Sequence, residues 1–249
     1  MTESKIRQLK ALYREGFPED SEEYADYFFA EKFCEDNVCY INTDDKIVSA
    51  AYVTFKKLSL FGRIIELPFI INVATLKEYR GRGYAREAIF RLIDKLKEYP
   101  FVALHPSEHS FYERLGFVTV ADIRVYDIAS ITLKERTADA ELLLGIYRDT
   151  VSGADIFFHR DIADIEMKLR EAELDGGGAY LADGGYVIKG KDVDEVCIRD
   201  DALAVPPLRR AGMMARINNL TAALEITGRT GDCPASIFAT ASSFILDRY

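Results

Sequence analysis

The stretch Val73-Ala74-Thr75, the four residues Leu76-Lys77-Glu78-Tyr79, and then Arg80-Gly81-Arg82-Gly83-Tyr84-Ala85 decide how the rest of the chain is read. Strand formers give way to a short turn, and the turn delivers two glycines to the start of an amphipathic segment. Glycines at 81 and 83 let backbone N–H groups converge on an anion, and the helix N-terminus that follows adds the positive end of its dipole. Arg80 and Arg82 beside those amides suit a pyrophosphate. A Gly-x-Gly pair alone serves equally well as a surface turn. The strand before it and the helix after it make an anion cradle the better reading.

That helix is legible in its spacing. Over residues 84–99, Ala85, Ala88, Ile89, Leu92, Ile93 and Leu96 recur at helical intervals with charged residues between them, which predicts a helix packed on a sheet. Pro100 ends it, residues 101–104 read as a short buried strand, and Ser107 with Glu108 opens a second short helix that Gly116 stops. Upstream, residues 6–13 and 21–33 predict two helices. Residues 38–41 and 47–55 predict a hairpin across Asn42-Thr43-Asp44-Asp45. Residues 64–75 predict a third strand in which Pro68, lacking an N–H, implies a bulge or an edge position. With β-like runs at 117–120 and 123–128, the order to about residue 129 is ααβββαβαββ, antiparallel hairpins mixed with one strand-helix-strand unit.

After Thr132 the pattern restarts. Helical runs at 138–147 and 160–173 lead through Gly176-Gly177-Gly178 to short strands at 179–181, 186–188 and 193–198, then a strand at 213–217, a helix at 218–226 and a β-like run at 235–246. The glycine run lacks flanking basic residues and a following amphipathic helix, so no second anion site is expected there.

Composition bounds the function. With 249 residues, 49% of them apolar and 29% charged, the chain suits two small globular domains. The start Met1-Thr2-Glu3-Ser4-Lys5 is no signal sequence and no run approaches the ~18 apolar residues of a membrane span, so a cytoplasmic protein with no membrane partner is expected. Cys34, Cys39, Cys197 and Cys233 form neither a CxxC pair nor a zinc spacing, and His105, His109 and His159 form no recognisable site, so no metal is expected. The net charge of -9 argues against nucleic acid and favours a small cationic partner. Ten acidic residues between Glu19 and Asp45 face a single Lys32, readable as a solvated face or as a rim that attracts an amine.

The Arg80-Gly81-Arg82-Gly83-Tyr84-Ala85 loop after a strand, together with Phe111-Tyr112-Glu113-Arg114-Leu115-Gly116-Phe117, resembles the acetyl-CoA signature and the tyrosine motif of the GNAT acetyltransferase superfamily. Val73-Ala74-Thr75 and Pro106-Ser107-Glu108 make it similar to the Eis-like (enhanced intracellular survival) branch. The resemblance implies an α/β (α+β) GNAT fold with a mixed central sheet and flanking helices at 1–130. It further implies a degenerate GNAT-like domain with a short appendage at 131–249.

It also implies an acetyl-CoA-dependent N-acetyltransferase acting on a primary amine of a small cationic molecule or peptide, by direct attack and without a metal. The main chain of Val73, Ala74 and Thr75 would pair with the pantetheine arm, Arg80, Gly81, Arg82, Gly83, Tyr84 and Ala85 would hold the pyrophosphate, and Ser107 would sit by the cofactor. Tyr112 would protonate the departing thiolate. The C-terminal carboxylate of Tyr249 is the base the branch implies, with Glu66, Glu108 and a water wire to the acidic segment competing. Relatives assemble, which implies a homo-oligomer. A non-catalytic acyl-CoA-binding or scaffolding protein, or a module binding a protein partner through its second half, fits the same loop.

Overall fold

The computed structural model describes residues 1–228, 234–238 and 243–244. Contacts divide the chain into two compact units that are interleaved rather than consecutive. One comprises 1–56, 66–118 and 215–234, and the other 57–65, 119–214 and 235–249. Residues 215–234, which the sequence pattern places with the second half, thus group with the first.

In the first unit two helices, α1 (Glu3–Gly16) and α2 (Glu22–Tyr27), precede the sheet. Ser21 starts α2 as its residue type predicts, its Oγ accepting from the Tyr24 N–H at 3.0 Å. The predicted helix then continues not as α but as a π-helical turn, Phe28–Lys32. Strands β1 (Val38–Thr43) and β2 (Lys46–Leu60) pair antiparallel across Asp44-Asp45, whose φ of 48° and 61° give the hairpin twist that short acidic side chains tolerate. β3 (Arg63–Thr75) lies between β2 and β4 (Phe101–Leu104), and pairs with β4 in parallel. The sheet is therefore mixed.

Helix α3 (Tyr84–Lys95) buries Ala88, Ile89, Leu92 and Ile93, the stripe that its spacing predicts, and β4 is buried throughout. The short α4 (His109–Glu113), β5 (Val118–Thr119) and β6 (Asp122–Val125) complete the predicted order ααβββαβαββ. One expectation is corrected. Pro68 is buried and its strand is internal, with neighbours on both sides; the irregular backbone falls later, at Asn72. A single missing N–H is tolerated because parallel pairing with β4 begins only at Phe69.

The second unit holds β7 (Leu133–Thr137), α5 (Ala140–Val151), β8 (Ile156–Phe158), α6 (Ile162–Leu174), β9 (Gly178–Ala182), β10 (Gly185–Lys189) and β11 (Val193–Ile198). The last three form an antiparallel meander, and β7 pairs with β9. Its core gathers Leu143, Leu144, Tyr147, Ile165, Tyr186 and Ile188. Arg160 and Tyr186 both donate to Glu195 Oε1, at 2.7 and 2.6 Å, which compensates the burial of that carboxylate. The glycine run serves packing, because a Cβ on Gly177 would lie 1.8 Å from the Lys189 carbonyl oxygen.

Next come β12 (Leu208–Ala211), paired with β6, then β13 (Met214–Ile217) and α7 (Leu220–Thr227). Within the β-like run at 235–246, the described residues form a short helix, α8 (Pro234–Phe238), and a two-residue strand, β14 (Ser243–Phe244). Proline at the first helical position is pre-set for such a start. No helix among the described residues is long and apolar enough to cross a membrane.

Candidate active site

β3 outruns its neighbour. The pairs Phe69↔Ala103 and Ile70↔Leu104 are followed by the end of β4, whereas β3 continues to Thr75. Asn72, just past the last pair, has a φ of 49°, a left-handed kink that asparagine tolerates better than most residues. The fully buried Ser49 donates from Oγ to the Ala74 carbonyl at 2.9 Å and lies 2.8 Å from Thr75 Oγ1. The Leu76 N–H donates to the Val48 carbonyl at 2.9 Å. Ala74 and Leu76 therefore turn their polar groups towards β2, and by strand alternation Val73 and Thr75 turn theirs to the edge that β4 has left. Gly16, the last residue of α1, packs against this segment, since a Cβ there would lie 2.7 Å from the Ala74 Cβ.

Beyond Thr75 a 3-10 turn, Lys77–Tyr79, leads into the glycine loop. Gly81 and Gly83 have φ of 74° and 86°, and a Cβ on either would meet nothing within 4 Å. Gly83 caps α3 without a side chain, leaving the first-turn N–H groups of that helix without a side-chain cap. The Arg82 guanidinium lies over the Tyr79 ring at 5.4 Å, and that of Arg86 over Phe90 at 5.4 Å. Arg80 does something the sequence did not suggest: its Nε donates to the Thr75 carbonyl at 3.0 Å, tying loop to strand. Tyr84 and Ala85, half-buried, form the first residues of α3.

Tyr112 lies on α4, 9% exposed. The rings of Phe111 and Phe117 stand edge-on to it at 5.0 and 6.0 Å. Its hydroxyl has no hydrogen-bond partner among the described residues, and burial pushes its pKa up to about 12. At neutral pH it is therefore a neutral phenol with a proton to give. Ser107 and Glu108 are exposed immediately before α4. Glu66 is engaged elsewhere, accepting from the Tyr99 hydroxyl at 3.1 Å. Tyr249 and Cys233 lie outside the described residues. Of the histidines, the His105 ring is tilted against that of Phe69, centroids 5.3 Å apart, His109 opens α4, and the His159 backbone N–H donates to the Lys57 carbonyl at 2.7 Å. Among the described residues no group of three or more His, Cys, Asp and Glu is arranged to hold a metal ion.

Part of the acidic segment is paired. Asp26 contacts Lys10 at 2.5 Å and Arg14 at 3.3 Å, Asp20 accepts from Tyr13 Oη at 2.5 Å, and Glu35 holds the chain's N-terminal amine. Those contacts fit the solvated-face reading for these residues.

Residues 1–120 match the family model described as an acetyltransferase (GNAT) domain. This segment belongs to the GNAT acetyltransferase superfamily. Among curated proteins, the uncharacterized N-acetyltransferase YhbS of Escherichia coli strain K12 is 28% identical over 82 residues, 32% of this chain and 49% of that protein. The match thus spans about half the length of the curated relative. Among solved structures, a GCN5-related N-acetyltransferase from Kribbella flavida is similar with a TM-score of 0.66 and 18% identity, covering 90% of this chain and 72% of that one. Eis1 from Mycobacterium abscessus is similar with a TM-score of 0.62 and 14% identity, over 90% and 74%. At such identities the likeness is one of fold, and it extends beyond the GNAT segment over most of the chain.

The residues that the sequence pattern did not single out are Asn72, Ser49 and Gly16. Asn72 alone carried a local signal, an asparagine between strand formers.

Proposed function

We propose that this GNAT protein transfers the acetyl group of acetyl-CoA to a primary amine of a small cationic molecule or peptide. The observation that carries the reading is the departure of β4 from β3 after Ile70, directly ahead of a glycine loop and a helix N-terminus without a side-chain cap. An extended pantetheine arm would pair with the free main-chain edge of Val73 and Thr75 as an added strand. Since Arg80 already holds the Thr75 carbonyl, the Thr75 N–H and the Val73 main chain are the available groups. The pyrophosphate would then rest on the N–H groups around Gly81 and Gly83, with Arg82 and Arg86 adding charge.

In the transfer itself, the neutral amine attacks the thioester carbonyl carbon, a new C–N bond forms as the nitrogen gives up one proton to solvent, and the C–S bond breaks. Tyr112 gives its phenolic proton to the departing thiolate, so the products are the N-acetylated amine and CoA, and the phenolate recovers a proton from solvent. A cationic acceptor suits a chain of net charge -9. We read the second unit's share of 131–249, residues 131–214, as a degenerate GNAT-like domain, supported by the recurrence of two helices ahead of an antiparallel meander.

The test is acetyl-CoA-dependent thiol release with a panel of polyamines, aminoglycosides and peptide amines, on wild type and Tyr112→Phe. Release that falls by about 100-fold or more in the variant, with CoA affinity kept, is expected. Release indifferent to the substitution removes Tyr112 from its role. Tight CoA binding with no release across the panel favours a non-catalytic CoA-binding protein.

A further inference from the structure

Strand β13 reaches the first unit from a part of the chain beyond the matched family segment, which ends at residue 120. It takes its place in the sheet between β4 and β5. On it, the half-buried Arg216 donates from Nη1 to the Leu115 carbonyl at 2.9 Å. The same guanidinium lies over the Phe90 ring of α3 at 5.9 Å, and its atoms come within 4.0 Å of the place a Cβ on Gly116 would occupy.

Leu115 and Gly116 belong to the turn that Tyr112 closes. The N–H groups of Leu115 and Phe117 both donate to the Tyr112 carbonyl, at 2.9 and 3.2 Å. Helix α4 is only five residues long, too short to fix a side chain through its own ladder. What grips the turn therefore sets where the phenol stands. The grip is itself anchored: Asn218 Nδ2 donates to the Leu96 carbonyl at 2.5 Å and the Ile93 carbonyl at 3.3 Å, and its N–H to the Pro100 carbonyl at 2.9 Å.

The geometry points to Arg216 as a positioning residue for Tyr112, supplied to the acetyl-transfer site by a strand outside the family's own segment. A planar guanidinium can lie against an aromatic face and donate along its edge at once, which a lysine ammonium cannot. The inference rests on the reading of Tyr112 as proton donor. It makes the 1–120 segment incomplete as a catalytic unit.

Steady-state kinetics on the full chain, with an acceptor from the amine panel, compare wild type, Arg216→Met, Arg216→Lys, Tyr112→Phe and the Arg216→Met/Tyr112→Phe double variant. Arg216→Met is expected to lower kcat about 10-fold while KM for acetyl-CoA stays within about 2-fold, as loss of orientation predicts. Arg216→Lys should recover part of the loss, and it keeps the comparison available if the methionine variant does not fold. In the Tyr112→Phe background the Arg216 substitution should have no further effect on kcat. An equal fall in both backgrounds, or a rise in KM with kcat unchanged, overturns the inference.

A second readout needs no acceptor. A fluorotyrosine placed at position 112 should give one fluorine NMR line in the parent protein and a shifted, split or broadened line in Arg216→Met; an unchanged line overturns the inference. Absence of thiol release in wild type would strike the proposed reaction, and the NMR result would still judge the positioning.

Discussion

Ser49 and Thr75 meet side chain to side chain, 2.8 Å apart, at the point where β3 has lost its parallel neighbour. Ser49 also holds the Ala74 carbonyl, so one buried hydroxyl fixes the register of the segment proposed to receive the pantetheine arm. Ser49→Ala is expected to cost about 1–2 kcal/mol in denaturant unfolding and to raise KM for acetyl-CoA more than it lowers kcat. An unchanged KM with an unchanged midpoint would show that β3 holds its course without this contact.

Gly16 offers a steric test of the same segment. Alanine there would press its Cβ to 2.7 Å from that of Ala74, and neither atom can rotate away. The gain in helix propensity is at most about 1 kcal/mol, and overpacking costs about 1–3 kcal/mol. Net destabilisation with weaker CoA binding is expected, by thermal melting and calorimetric titration. A stabilised variant would mean that α1 ends further from β3.

The ionisation of Tyr112 fixes the alkaline side of the pH profile. An ordinary tyrosine is half ionised near pH 10, but burial moves this one to about 12. In the role proposed for Tyr112 the proton-bearing form is the donor, so kcat/KM should show no falling limb from this group up to about pH 10.5. A decline with a midpoint near pH 10 would assign the donor to another group.

In the second unit Asp194 links stability to pH. Burial, and then the neighbouring Asp175 and Glu171, raise its pKa to about 6, against the lowering effects of the Gly190 N–H and Lys168. A carboxyl raised in the folded state contributes stability that is complete below its unfolded pKa and is lost as pH rises through about 6. Asp194→Asn, which keeps an acceptor for the Gly190 N–H, should therefore raise the melting temperature relative to wild type more at pH 7.5 than at pH 5. Equal differences at the two values would show that Asp194 titrates normally.

The glycine loop, helix α3, the β1-β2 hairpin and the short helix that carries Tyr112 were legible because each is a local pattern: periodicity, a turn residue, a short motif. Residues 213–217 were equally legible as a strand, but their partner was not, because a four-residue strand carries no record of which distant strand it joins. The contact of Arg216 with the Leu115 carbonyl was hidden for the same reason. The π-helical turn at Phe28–Lys32 escaped because its residues satisfy an α-helical period over so short a stretch. At Pro68 the missing N–H points equally to a bulge or to an edge, and it cannot exclude an internal strand because only one donor is lost.

The placement of β13 also sets the order of events during synthesis. Asn218 bonds carbonyls on α3 that leave the ribosome over a hundred residues earlier, at sequence separations of 122 and 125. Such closures are slow, and until β13 arrives β4 keeps an unpaired edge exposed. The nascent GNAT segment must therefore persist as an unfinished sheet while the intervening residues are translated, so chaperone dependence and aggregation should track how quickly the ribosome reaches residue 218.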